Sequence, residues 1–166
     1  MKSTVILTIP ILMSTLILGC GKDAPTTAGN QEKYASANIS ATDTSVDMQK
    51  VKDTSAAIAA EINKTGVYNL SKLIADARTK SDFNAGHIPS ATSFAIDEIE
   101  NGKAPKVMSI LSKGTEIIIY AQNAESTESI RLKNYLKKKG LSSTIYKNGY
   151  QEWKSSMQQI ENEPGN

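Results

Sequence analysis

Four consecutive residues, Ile117-Ile118-Ile119-Tyr120, narrow the folds open to this chain more than any other stretch. The run is continuously apolar and its isoleucines are β-branched, which suits a pleated strand. It does not alternate with polar residues, so neither of its faces is made for water. Strands buried on both faces belong to parallel sheets covered by helices. A strand is therefore placed at 116–121, and the remaining chain must supply a layer on each side of it.

The neighbouring segments alternate in the way that requirement demands. Residues 72–77, carrying Leu73 and Ile74, read as a second buried strand, 91–96 as a third and 143–147 as a last short one. Helical signals lie between them. Met48, Val51, Ile58 and Ile62 fall loosely on one helical face, closed by Asn63-Lys64-Thr65-Gly66. Residues 81–86 make a short helical turn ended by glycine. Residues 99–111 read as helix, broken in their first part by Gly102 and Pro105. In the helix 127–139, Leu132, Tyr135 and Leu136 form the buried stripe, Lys133, Lys137 and Lys138 the wet face, and Gly140 the stop. A final helix covers 151–160. Strands alternating with helices imply an α/β domain around a mostly parallel sheet. Its length suits one modest core, and no internal repeat is visible.

The N-terminus has the three parts of a secretory signal. Lys2 supplies the charge, residues 5–18 are apolar apart from Thr8, Pro10, Ser14 and Thr15, and Gly19-Cys20 closes the run. The apolar part is short for a membrane span, which takes roughly 20 residues. Leu16-Ile17-Leu18-Gly19-Cys20 resembles a bacterial lipobox, which implies cleavage before Cys20 and a diacylglycerol on its sulfur. An uncleaved anchor is the alternative. The chain then divides into a signal peptide at 1–19, a lipidated cysteine with a flexible tether at 20–45, a folded domain at 46–160 and a disordered tail at 161–166. The tether is rich in small and polar residues, and its reach scales to roughly 25–30 Å. Several acyl chains anchor stably where one binds only marginally. The expected partner at this end is a membrane. Gly21 rather than aspartate after Cys20 resembles sorting to the outer membrane, facing the periplasm, if the cell has two.

Composition removes several classes of chemistry. Cys20 is the single cysteine, so a lipid on it leaves no free thiol and no disulfide within the chain. With one histidine, His87, a structural zinc site is not expected, and neither is a cofactor. Any Ser-His-Asp or Cys-His arrangement would have to run through His87. The charge is close to neutral and gives no argument for nucleic acid.

Two motifs then carry a family resemblance over residues 46–157. The first is Asp76-Ala77-Arg78, followed by Asp82-Phe83 and by Gly86-His87-Ile88-Pro89-Ser90-Ala91. The second is Asn148-Gly149-Tyr150-Gln151-Glu152-Trp153. Together, around the Ile-Ile-Ile-Tyr strand, they resemble the rhodanese-like (sulfurtransferase) family. The resemblance implies a three-layer α/β/α domain with a central, mostly parallel sheet. Ser90 and Asn148 stand where family members carry glycines. The resemblance also implies a catalytic cysteine directly after the central strand, and this chain has Ala121 there. In such a loop, between a strand end and a helix N-terminus, inward backbone N–H groups favour an anion. A methyl group can neither ionise nor attack, so persulfide chemistry has no carrier at this position.

The resulting candidate site is a degenerate loop of Ala121, Gln122, Asn123, Ala124, Glu125, Ser126, Thr127, Glu128 and Ser129, slightly longer than the common family spacing. Glu125 and Glu128 work against a bound anion, with Arg131 and Lys133 placed to offset them. Ser126, Thr127 and Ser129 have no visible base and are assigned to helix capping rather than nucleophilic attack. His87 is assigned to fixing its turn rather than to general base chemistry. Asp76 and Arg78 are assigned to tying the strand end to nearby backbone. Phe83, Gly86, Pro89 and Gly149 are structural motif residues, and Trp153 is a core anchor. Lys137, Lys138 and Lys139 are read as a solvated helix face rather than a contact for acidic lipid. The functional expectation is a non-catalytic binding module for a small anion, a sulfur-bearing ligand or a protein partner at the loop. The alternative is an enzyme using a partner's thiol or a loop hydroxyl. A third reading is an adaptor acting through an apolar surface patch.

Overall fold

The computed structural model describes residues 45–67 and 69–163. The expected signal peptide, Cys20 and all but the last residue of the tether lie outside the described residues, as do 164–166 of the expected tail. The elements in chain order are β1 (Ser45–Val46), α1 (Met48–Thr65), β2 (Lys72–Asp76), α2 (Lys80–Ala85), β3 (Ala91–Ser93) and α3 (Ile96–Glu100). A 3-10 helix (Lys106–Ile110) follows, then β4 (Glu116–Tyr120), α4 (Glu128–Lys138), β5 (Thr144–Tyr146) and α5 (Gly149–Ser155).

The five strands are all parallel and lie in the order β1-β5-β4-β2-β3. β4 is central, with Ile118 opposite Ile74 of β2 and Thr144 of β5. Successive side chains of a strand point to opposite faces, and this splits the apolar run between two cores. Ile117 and Ile119 join Leu73, Ala75, Phe94, Leu132 and Leu136 beneath α3 and α4. Ile118 and Tyr120 join Val51, Ile58, Ile74, Tyr146 and Trp153 beneath α1 and α5. The three-layer α/β/α arrangement follows directly. Every member of both clusters lies within 46–153, so this stretch carries its own core.

Helix α1 is bounded as its sequence signals require. The Asp47 carboxylate accepts the Lys50 N–H at 2.9 Å, and Gly66, at φ 68°, sends its N–H to the Ile62 carbonyl. Other boundaries differ from expectation. The strand expected at 91–96 ends at Ser93, because the chain turns at Ala95 into α3, which takes Ile96 into the core. The helix expected at 99–111 is two pieces. Gly102, at φ 83°, lies just beyond α3, and Pro105, with no N–H to give, precedes the 3-10 turn. The final helix stops at Ser155 rather than 160. Met157 then takes φ 55°, and the chain returns so that the Gln159 carbonyl accepts the Trp153 indole N–H at 2.7 Å. Glu161, expected in the tail, pairs with His87 in an antiparallel bridge. β1 was not foreseen as a strand. Among the described residues no helix is long and apolar enough to cross a membrane.

Candidate functional site

Parallel strands gather their C-terminal ends on one side of the sheet, which is where open α/β sheets form clefts. Asp76, Tyr120 and Tyr146 stand level there at the ends of β2, β4 and β5. The chain leaves each strand into a loop, and the loop after β4 begins at Ala121.

Asp76 and Arg78 are buried together. Arg78 donates from Nε to both Asp76 oxygens, at 3.0 and 3.1 Å, and from Nη2 to Oδ2 at 2.6 Å. Its Nη2 also reaches the Gly86 carbonyl at 2.7 Å, and its Nη1 reaches Gln122 Oε1 at 3.4 Å. The guanidinium lies 4.0 Å from the Tyr150 ring centroid. Burial opposes the charge on Arg78, but the bonds and charge of Asp76 outweigh it and hold the guanidinium protonated above its ordinary range. This one side chain therefore joins the first motif, the loop and the second motif. Burial first, and then the Asp76 charge, push the Tyr120 hydroxyl well above its usual range, so it stays neutral and accepts the Ile88 N–H at 3.2 Å.

The second motif rests on the loop backbone. Tyr150 N–H donates to the Ala121 carbonyl and Gln151 N–H to the Gln122 carbonyl, both at 2.9 Å. Gly149 has φ 64°, and a Cβ there would stand 2.3 Å from the Ala121 carbonyl oxygen. Asn148, which stands where family members carry a glycine, has the right-handed φ of −77° and donates from its amide to Glu152 at 3.1 Å. Glu152 also accepts the Tyr146 hydroxyl at 2.6 Å. Trp153 is buried in the α1 and α5 core.

The first motif is closed by side chains. His87 stacks on Phe83 with centroids 3.8 Å apart and donates from Nδ1 to the Phe83 carbonyl at 2.9 Å. Its backbone exchanges two hydrogen bonds with Glu161. A Cβ on Gly86 would meet the Tyr150 hydroxyl at 2.5 Å. The Pro89 carbonyl accepts the Ser55 hydroxyl at 2.7 Å. Ser90 does adopt the left-handed conformation, at φ 64°, and its N–H donates to Glu161 Oε2.

Within the loop, Ala121 is only 2% exposed and Ser129 is buried, whereas Gln122, Ala124, Glu125 and Thr127 are exposed and Asn123, Ser126 and Glu128 are half-buried. The capping expected of the hydroxyls does not occur. Thr127 occupies the N-cap of α4 in a right-handed conformation without a side-chain cap. Ser126 turns back instead: its hydroxyl donates to Asn123 Oδ1 at 3.0 Å and accepts the Asn123 N–H at 3.1 Å. Asn123 Oδ1 also accepts the Glu125 N–H at 3.1 Å, and the Asn123 carbonyl accepts the Ser126 N–H. Three N–H groups of the loop are thus engaged by the loop itself. Arg131, expected to offset Glu125 and Glu128, is bonded to Asp97 at 2.7 Å and to Glu100 on α3. The sequence did not foretell the Tyr150 stack, the Gln122 contact or the Asn123–Ser126 clasp. An Asn three residues before a Ser was the available signal for the clasp. Among the described residues, no group of three or more His, Cys, Asp or Glu is placed to hold a metal ion.

A rhodanese-like domain profile matches residues 54–156, more than half of the chain. Among solved structures, the BH2092 protein of Bacillus halodurans superposes with a TM-score of 0.52 at 18% identity, covering 71% of this chain and 76% of that one. The Alr3790 protein of Anabaena gives 0.51 at 22% identity, covering 71% and 80%. A Lactobacillus plantarum protein gives 0.51 at 15% identity, covering 71% and 87%. Among curated protein sequences none is significantly similar. The structural likenesses speak for the fold, and the profile match extends across both motifs: the chain belongs to the rhodanese-like domain family.

Proposed function

We propose that this is an exported, lipid-anchored rhodanese-like domain that has lost sulfur-transfer chemistry and presents its loop at 121–127 to a protein partner. The observation that carries this reading is the state of the loop. Its first residue is the buried Ala121, its Asn123 and Glu125 N–H groups are taken up by the Ser126 and Asn123 side chains, and its Ser126 N–H by the Asn123 carbonyl. A small anion or sulfur-bearing ligand would find those three N–H groups occupied and the exposed Glu125 carboxylate in the same loop. A protein surface would meet the exposed Gln122, Ala124, Glu125 and Thr127 without needing those N–H groups. The Ser126 hydroxyl donates to an amide oxygen rather than to a base, which argues against its use as a nucleophile.

Thiosulfate-to-cyanide sulfur transfer by the chain from Gly21 onward is the first test, run beside Ala121→Cys. No turnover is expected from the parent, and measurable turnover overturns the non-catalytic reading. A photo-crosslinker at Glu125, in cells, should give a discrete protein adduct that disappears on changing Gln122 and Ala124. Adducts indifferent to those changes move the partner surface elsewhere. The anchor is tested separately by mass spectrometry of Cys20 in the protein isolated from membranes.

A further inference from the structure

We infer that the opposite end of the domain, around the 3-10 helix and the C-terminus of α4, is a docking face for an anionic phospholipid surface. A groove of about 520 Å³ lies there, lined by Lys106, Met108, Leu111, Tyr135, Lys139 and Leu141 among others, with no carboxylate in its lining. Ile110, between the lining residues Ser109 and Leu111 in the chain, is 61% exposed. Lys113 extends toward Gly140, next to Lys139, and Lys137 and Lys138 are exposed on the last turn of α4. No salt bridge among the described residues engages Lys106, Lys113, Lys137, Lys138 or Lys139. Glu116, the carboxylate that begins β4 at this end, is already held between Lys50 and Lys72 at 2.6 and 2.7 Å. A groove whose lining joins Met108, Leu111, Tyr135 and Leu141 to the basic Lys106 and Lys139, beside an exposed isoleucine, fits an interface whose headgroups are negative and whose interior is hydrocarbon.

Direction supports that occupant. Leu111 precedes β4 and Leu141 precedes β5, so the groove is at the N-terminal end of the parallel sheet. Ser45 enters a strand parallel to β5, so the chain arrives from that same end. The loop at 121–127 leaves the C-terminal end of β4. A membrane seated on the groove would therefore lie on the side from which the chain arrives and leave the loop facing away from it. The inference adds a second membrane contact to the proposed anchor but does not need the lipid.

The test uses unlipidated chain from Gly21 onward, which retains the whole core. It should co-sediment with vesicles of phosphatidylglycerol and phosphatidylcholine, more weakly as salt rises, and not with phosphatidylcholine alone. Lys106→Glu with Lys139→Glu should weaken partitioning by about tenfold or more, while Lys147→Glu with Lys154→Glu, away from the groove, should leave it within about twofold. All four lysines are exposed, and thermal melts of the variants verify their folding. Because the form from Gly21 onward has no cysteine, a polarity-sensitive dye on Ile110→Cys reports insertion, and the same dye on Ala124→Cys should be silent. No binding to anionic vesicles, equal loss in both double variants, or a dye response at 124 instead of 110 overturns the inference. So does a concentration-dependent dimer abolished by Ile110→Ser without vesicle binding, which gives the groove to a second copy. Each of these outcomes is independent of whether Cys20 carries lipid.

Discussion

Asp76 and Arg78 illustrate how much a single buried charge pair decides here. Asp76→Asn leaves the guanidinium 5% exposed with no countercharge, and the expected loss is about 3–5 kcal/mol in urea unfolding. Gly149→Ala should cost roughly 3 kcal/mol or more, because the added carbon meets the Ala121 carbonyl at 2.3 Å in a left-handed backbone. Ser90→Gly is expected to act in the other direction. Its φ of 64° strains a side-chain-bearing residue, and glycine should raise stability by about 0.5–1 kcal/mol, measured by the same method. The motif residues were legible in sequence through their resemblance to the family's two motifs. Their partners were not legible. That Arg78 lies on Tyr150 and reaches Gln122 depends on three elements meeting at the sheet end, which no local pattern encodes. The capping assigned to Ser126 failed because its hydroxyl oxygen accepts the Asn123 N–H instead, and Thr127, though at the N-cap, takes a right-handed backbone in place of the extended one that a capping side chain needs.

At the scale of elements, the long periodic helices and the two fully buried strands were readable, and the short pieces were not. Ile96 was placed in a strand because an apolar residue after Ala91–Ser93 satisfies either pattern. Only packing beneath α4 assigns it to α3. Acid sensitivity also belongs at this scale, where α1, β2 and β4 meet at Glu116. Bonds from Lys50 and Lys72, against a smaller opposing effect of burial, hold the Glu116 carboxyl below its ordinary value of 4.5. The unfolded chain therefore takes up this proton more readily. The stabilisation is fully present above that value and fades as pH falls through the lowered folded one. Solvent exposure of the lysines keeps the effect small. Glu116→Gln should lower the melting midpoint slightly at neutral pH and leave it unchanged in strong acid, where both proteins carry a neutral side chain. An equal drop at both pH values would assign the effect to packing.

For the molecule as a whole, the C-terminal return from Gln158 to Asn162 is a strap across the first motif. It supplies the Gln159 acceptor to Trp153, two backbone bonds to His87 and the Glu161 acceptor to Ser90. Ending the chain at Gln158 removes all four and should lower stability by about 2–4 kcal/mol while leaving the sheet's circular dichroism intact. The expected domain end at 160 missed this strap, because an isolated bridge carries no periodic signal. The other end of the chain has a mechanical consequence. β1 is two residues long, at the sheet's edge, and is the first of the described elements that a pull on the N-terminal side encounters. Its few bonds to β5 yield before the buried strands are loaded, so a force-extension trace should show a small early release ahead of the main rupture. Drag between the proposed anchor and the proposed partner at the loop would be absorbed there first, with only Val46 drawn away from the α1 and α5 core.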